Sequence, residues 1–137
     1  MRTVYTGGTF DLFHAGHVRF LRLCAEIGCV TVAVNTDEFV SKYKGRSPVI
    51  GLNDRIAVLK ACRWVSCVVV NECGEDSKVA IEKVDPDIIA VGSDWQKKDY
   101  CKQMGFTLDW LSEKKIELVY LPYTVGISSS LIKTRMR

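Results

Sequence analysis

Two histidines three residues apart, His14 and His17, follow a glycine-bearing stretch, so that residues 6–17 read T-G-G-T-F-D-L-F-H-A-G-H. A short apolar run, Thr3 to Tyr5, precedes this stretch, and an apolar-periodic segment, Val18 to Ile27, follows it. Strand, glycine turn and helix is the layout that brings backbone N–H groups and a helix N-terminus up to a phosphate. Gly8 belongs to the turn, and Gly16 has no Cβ to hold a bulky anion away. Two imidazoles side by side at that helix start would donate to phosphate oxygens and stabilise a crowded transition state. Thr9 and Phe10 would offer backbone N–H groups to the same phosphates, although Phe10 has a plain alternative in the core. Asp11 can hold a histidine, hold a metal-bound water, or cap the turn. The stretch lacks the Lys-Ser/Thr ending of a P-loop and the spacing of a dinucleotide fingerprint.

Three further groups of residues fit the same chemistry. Gly126-Ile127-Ser128-Ser129-Ser130 leads into a helix, and its hydroxyls and N–H groups form an anion site for the outer phosphates, with Lys133 one turn on. The plainer alternative is three serines, one of which caps the helix. Lys42, Lys44 and Arg46 alternate in a basic stretch that runs to Pro48. Such a run is usually a solvated face; its place after a strand favours phosphate contact. Arg55 and Arg63 bracket the next helix, as ligand contacts or as exposed helix arginines. In Gly92-Ser93-Asp94-Trp95, Asp94 can accept from an exocyclic amine, while Trp95 can stack or pack in the core.

These segments must be positioned by a regular framework. The patterns predict strands over residues 2–6, 30–34, 67–70, 88–91 and 117–121. They predict helices over 17–27, 38–42, 75–84, 107–114 and 128–136, and another opened by Asn53 or Asp54. Val30 to Val34 is almost continuously apolar and β-branched, the mark of a strand covered on both faces. Strands alternating with helices give an α/β fold with a parallel sheet and right-handed crossovers. Ligands of such a sheet sit at the carboxyl ends of its strands. Residues 7–17, 35–46, 92–95 and 122–130 all follow strands, so they converge on one crevice.

Composition narrows the function classes. A chain of 137 residues with 47% hydrophobic residues makes one domain, residues 1–137, with a normal core. A net charge of +3 is too small for a nucleic-acid surface. A mild positive excess gathered in a cleft suits a nucleotide. None of the six cysteines forms a C-x-x-C pair, so they read as reduced core thiols in a cytoplasmic protein. There is no secretory leader pattern and no run long enough to span a bilayer.

G-T-F-D before H-A-G-H, with G-I-S-S-S-L-I-K at Gly126 to Lys133, resembles the nucleotidyltransferase superfamily that carries this signature, and within it the small glycerol-3-phosphate cytidylyltransferases. The resemblance runs from Thr6 through Lys133. It implies a Rossmann-like, doubly wound, five-stranded parallel sheet and a homodimer. It implies transfer of CMP from CTP to an alcohol phosphate such as glycerol 3-phosphate, with release of pyrophosphate and Mg²⁺ carried by the triphosphate. His14 and His17 would act on the phosphates. A lysine, Lys44 before Lys42, would bridge nucleotide and acceptor. Arg63-Trp64-Val65 resembles an R-Y-V stretch whose arginine helps hold the nucleotide. Where that family has R-T-x-G-I-S, this chain has Tyr123-Thr124-Val125-Gly126-Ile127-Ser128. Glu72 to Ser77 lacks the tryptophan of close members, leaving Ser77 as the candidate acceptor contact there. The I-S-S-S run is similar to phosphopantetheine adenylyltransferase. Transfer of AMP from ATP to a sugar phosphate, a flavin precursor or phosphopantetheine is therefore the alternative. A nucleotide-binding module without turnover is the alternative of another class.

Overall fold

A computed structural model describes residues 1–72, 74, 76–93, 101, 104–122 and 128–136. Its centre is a sheet of five parallel strands in the order β3-β2-β1-β4-β5. The strands are β1 (Thr3–Gly8), β2 (Cys29–Asn35), β3 (Cys67–Asn71), β4 (Ile88–Gly92) and β5 (Glu117–Leu121). Between and after them lie α1 (Ala15–Ile27), α2 (Asp37–Lys44), α3 (Leu52–Ala61), α4 (Lys78–Val84), α5 (Leu108–Lys114) and α6 (Ser129–Arg135). The chain winds outward from β1 in one direction and then restarts at β4 in the other. This is the Rossmann-like, doubly wound arrangement, with its switch point beside β1.

Period-two alternation builds a core on each face of the sheet. Val4, Val30, Val32, Val34, Ile88 and Ala90 point to one face, where Leu21 and Cys24 of α1 and Leu59 of α3 cover them. Tyr5, Ala33, Ile89 and Val91 point to the other, under Ala80 and Ile81 of α4 and Phe106 and Leu111 around α5. Val30 to Val34 is buried throughout, as its composition requires.

The strands outrun their apolar stretches. Gly7 and Gly8 pair with Ala33 and Val34 inside the sheet, so they are not the turn. The turn lies further on, where Phe10 and Leu12 take positive φ of 54° and 51°. The glycines answer to contact instead: a Cβ on Gly8 would come within 2.9 Å of the Phe10 ring. Gly28 ends α1 in extended backbone, φ 178°, and not in a left-handed cap. A Cβ there would meet the Arg2 carbonyl oxygen at 2.3 Å, so close packing against β1 explains that glycine. The basic stretch 42–48 is partly helical, since α2 continues to Lys44 and Gly45, φ 78°, closes it.

Tyr5 is fully buried, and its hydroxyl has no hydrogen-bond partner among the described residues. Burial raises its pKa far above the usual phenol range. Tyr5→Phe removes this unsatisfied donor and is expected to add about 1 kcal/mol of stability, or about 3 °C in Tm. Thermal unfolding of the variant checks this; a lower Tm would show that the hydroxyl is satisfied in solution.

Candidate active site

A crevice of about 1080 Å³ opens at the carboxyl ends of the strands. The end of β1, the turn after it and the start of α1 supply Gly8, Thr9, Phe10, Asp11, His14, Gly16 and His17 to its lining. The segment after β2 supplies Lys44 and Arg46, β4 supplies Gly92, and the start of α6 supplies Ser128, Ser129, Ser130 and Lys133. Four segments far apart in the chain therefore meet where the alternation of elements puts them.

The histidines cap α1 and face the crevice at once. His14 is the N-cap, and its Nδ1 accepts from the Gly16 N–H at 3.0 Å. His17 Nδ1 accepts from the His14 N–H at 3.2 Å. The two rings stack with centroids 3.8 Å apart. Phe10 and Phe13 flank the His17 ring at 5.2 and 5.3 Å. An accepting Nδ1 places the proton of a neutral imidazole on Nε2. Each ring is thus a donor at Nε2, and His14 Nε2 has no partner among the described residues. Burial lowers the pKa of both rings; His17, further lowered by charge on His14 and raised only in part by Asp11, falls to about 3. The free site holds neutral imidazoles that donate.

Asp11 fastens three segments together. Its carboxylate accepts from the N–H groups of Val49 at 2.8 Å and Ile50 at 2.9 Å, and pairs with Lys133 at 3.1 Å. Its carbonyl accepts from the Ser129 hydroxyl. Burial pushes its pKa up, but the two N–H groups and Lys133 outweigh that and hold it below the usual carboxylate value. Asp11 lines the crevice, yet its carboxylate binds the chain and not a histidine. The structure gives it no histidine partner and ties it instead to the segment before α3 and to α6.

For Arg55 the expected ligand contact is corrected. It is 1% exposed and reaches no substrate space. Nε donates to the Ile50 carbonyl, Nη1 to the carbonyls of Thr9 and Asn35, and Nη2 to Asp37 at 2.6 Å. It braces the loops after β1 and β2.

The cations on the crevice wall are Lys44, Arg46 and Lys133. Partial desolvation and repulsion from Lys133 and Arg46, opposed by Asp11, lower the Lys44 pKa. Crowded positive groups of this kind favour a ligand rich in negative charge. Lys42 is exposed on α2, outside the lining. Arg63 is exposed, lies over the Trp64 ring at 5.1 Å, and follows α3 at the amino end of β3, opposite the crevice. Ser77 is fully buried and donates to the Met104 carbonyl at 2.5 Å, so it supports α4 and touches no acceptor. The Ser128 hydroxyl accepts from the Leu131 N–H and caps α6. Asp94, Trp95, Tyr123, Thr124, Gly126 and Ile127 lie outside the described residues.

Sequence reasoning missed Asn35, Asn71 and Phe39, which also line the crevice. Asn35 and Asn71 end neighbouring strands in the same register, and each follows a valine-rich run: V-A-V-N and V-V-V-N. That repeated ending was the available signal.

Residues 5–135 match the family described as Cytidylyltransferase-like. The chain is 42% identical over 122 residues to the FAD synthase of Pyrococcus abyssi, covering 88% of this chain and 80% of that protein. It is 33% identical over 137 residues to the glycerol-3-phosphate cytidylyltransferase of Staphylococcus aureus, covering 99% and 96%. In fold it is similar to the lipopolysaccharide core biosynthesis protein of Thermoplasma volcanium, with a TM-score of 0.69, 23% identity and coverage of 90% and 98%.

Two expectations follow from this geometry. Arg55→Met leaves Asp37 and three carbonyls without their donor, and is expected to destabilise the chain by about 3 kcal/mol or more. Denaturant unfolding measures this, and a loss under 1 kcal/mol would argue against the brace. His17 titrates near 3 when folded and near 6.5 as a reference histidine. Between those values the unfolded chain binds the extra proton, so stability is complete above about pH 6.5 and falls as pH drops. The slope approaches about 1.4 kcal/mol per pH unit. Unfolding curves at pH 7 and pH 5 should show this loss in the wild type and a smaller one in His17→Asn.

Proposed function

This chain is a nucleotidyltransferase of the cytidylyltransferase-like family, and we propose that it transfers CMP from CTP to an alcohol phosphate such as glycerol 3-phosphate, releasing pyrophosphate. One observation carries the reading: a pair of stacked, neutral histidines, each with Nδ1 taken by the backbone, shares a crevice with Lys44, Arg46 and Lys133. An oxygen of the acceptor phosphate attacks the α-phosphorus, and the bond from that phosphorus to the pyrophosphate oxygen breaks. The protein contributes alignment and charge. His14 and His17 donate from Nε2 to the phosphates as negative charge builds between them. Lys44 and Arg46 hold acceptor and nucleotide phosphates together against their mutual repulsion. Lys133 and Ser130 serve the outer phosphates from α6.

Magnesium fits this arrangement as an ion carried by the triphosphate. Among the described residues no group of three or more His, Cys, Asp or Glu is placed to hold a metal, and Asp11 is already engaged by two N–H groups and a lysine.

The 33% identity over nearly all of both chains supports the glycerol phosphate reading. A second reading, AMP transfer from ATP to a flavin precursor, is favoured by the 42% identity to an FAD synthase. Pyrophosphate release decides between them, with CTP or ATP paired with glycerol 3-phosphate or flavin mononucleotide. Release with CTP and glycerol 3-phosphate is the expected result; release only with ATP and the flavin would establish the second reading. In the active pair, His14→Asn keeps an oxygen to accept from Gly16 but removes the Nε2 donor. It is expected to lower kcat by about 10²–10³-fold. Full activity of that variant would remove His14 from the mechanism.

A further inference from the structure

Asn71 ends β3 at 2% exposure, yet it lines the crevice. Its side-chain nitrogen donates to the Gly74 carbonyl at 3.1 Å and to Asn35 Oδ1 at 3.4 Å. Asn35 in turn donates to the Thr9 hydroxyl at 3.3 Å. A carbonyl oxygen only accepts, so Gly74 fixes which way the Asn71 amide is turned. Its Oδ1 is thereby left buried and without a partner among the described residues. Buried acceptors are normally satisfied, and one that is unsatisfied beside a ligand crevice marks where a ligand donor belongs.

The missing partner cannot be a phosphate oxygen, which accepts at neutral pH. It must carry O–H or N–H. Position narrows it further. In the sheet order, β3 lies on the opposite side of β1 from β4, whose end supplies Gly92. Between Asn71 and β1 lies the end of β2, and the segment that follows β2 brings Lys44 and Arg46, the groups assigned above to the acceptor phosphate, into the same crevice. Asn71 therefore stands on the acceptor's side of the reacting atoms.

We propose that Asn71 is a specificity-determining residue whose Oδ1 accepts from a hydroxyl of the acceptor, and that the acceptor is a polyol phosphate, an ester whose carbon chain keeps free hydroxyls. The inference rests on the nucleotidyl-transfer reading, because that reading places an acceptor phosphate at Lys44 and Arg46. Both acceptors considered above belong to this class. The proposal excludes simple alkyl phosphates.

Glycerol 3-phosphate and n-propyl phosphate have the same chain length and the same phosphate, and only the first has hydroxyls. Calorimetry on the full chain should show glycerol 3-phosphate binding about tenfold tighter, the effect of one well-placed hydrogen bond. Asn71→Leu should bring the ratio below about twofold and leave triphosphate affinity within about twofold. Asn71→Ala is the second variant, and melting curves identify which variant is folded. Equal affinities in the wild type, a ratio kept in a folded variant, or no binding of either ester would overturn the proposal. Pyrophosphate release in parallel separates the two claims. Turnover without discrimination between the esters overturns this inference alone. Discriminated binding without turnover of the tested pairs overturns the choice of transferred nucleotide and leaves Asn71 as the hydroxyl contact of a polyol phosphate.

Discussion

A full positive charge at 1% exposure is the constraint on which the crevice depends. Burying a guanidinium costs several kcal/mol unless its donors are met. Arg55 meets that cost with carbonyls from residues 9, 35 and 50 and the carboxylate of Asp37. These partners sit on the loop after β1, the end of β2, the start of α2 and the approach to α3. The arginine collects their otherwise unpaired oxygens and so sets their spacing. A lysine could not replace it, because one ammonium cannot reach partners arranged around a planar fork.

Asp11 plays the complementary part with negative charge. It takes the N–H groups of Val49 and Ile50, and it holds α6 through Lys133 and Ser129. Once Asp11 is spent on the chain, Lys44 and Arg46 keep their charge for a ligand. The lowered pKa of Lys44 records partial burial first and then the crowding by Lys133 and Arg46 in the free protein. A bound triphosphate reverses the sign of the effect, since its negative charge favours the protonated lysine. The same holds for the histidines. Neutral donors in the free crevice would become easier to protonate beside the negative charge of phosphates.

What the sequence disclosed, and what it hid, follows from the range of the forces involved. The sheet was legible because valine and isoleucine runs report burial on both faces locally, and all five strands fall where those runs lie. Their ends were not, because hydrogen bonding continues through Gly7, Gly8, Asn35, Asn71 and Gly92 after apolar character stops. The histidine pair was legible because its members are three residues apart in one helix turn. Arg55 was not: its partners lie 46, 20, 18 and 5 residues away, and an isolated arginine on a helix looks exposed. Arg63 misled for a related reason. It follows α3, which runs antiparallel to the strands, and so belongs to the end of the sheet away from the crevice.

The histidines also show why fold and chemistry resist separation here. Each imidazole lines the crevice and uses Nδ1 to close the first turn of α1, which leaves the proton on Nε2. The helix start thereby fixes the tautomer, and the tautomer fixes where the donors are. A side chain that capped better, such as serine or aspartate, would stabilise the turn and leave nothing to donate. A lysine would donate but could not accept from the backbone. Imidazole alone among the common side chains offers an acceptor and a donor on opposite edges of one rigid ring. That dual demand, and not phosphate binding by itself, accounts for histidine at both positions.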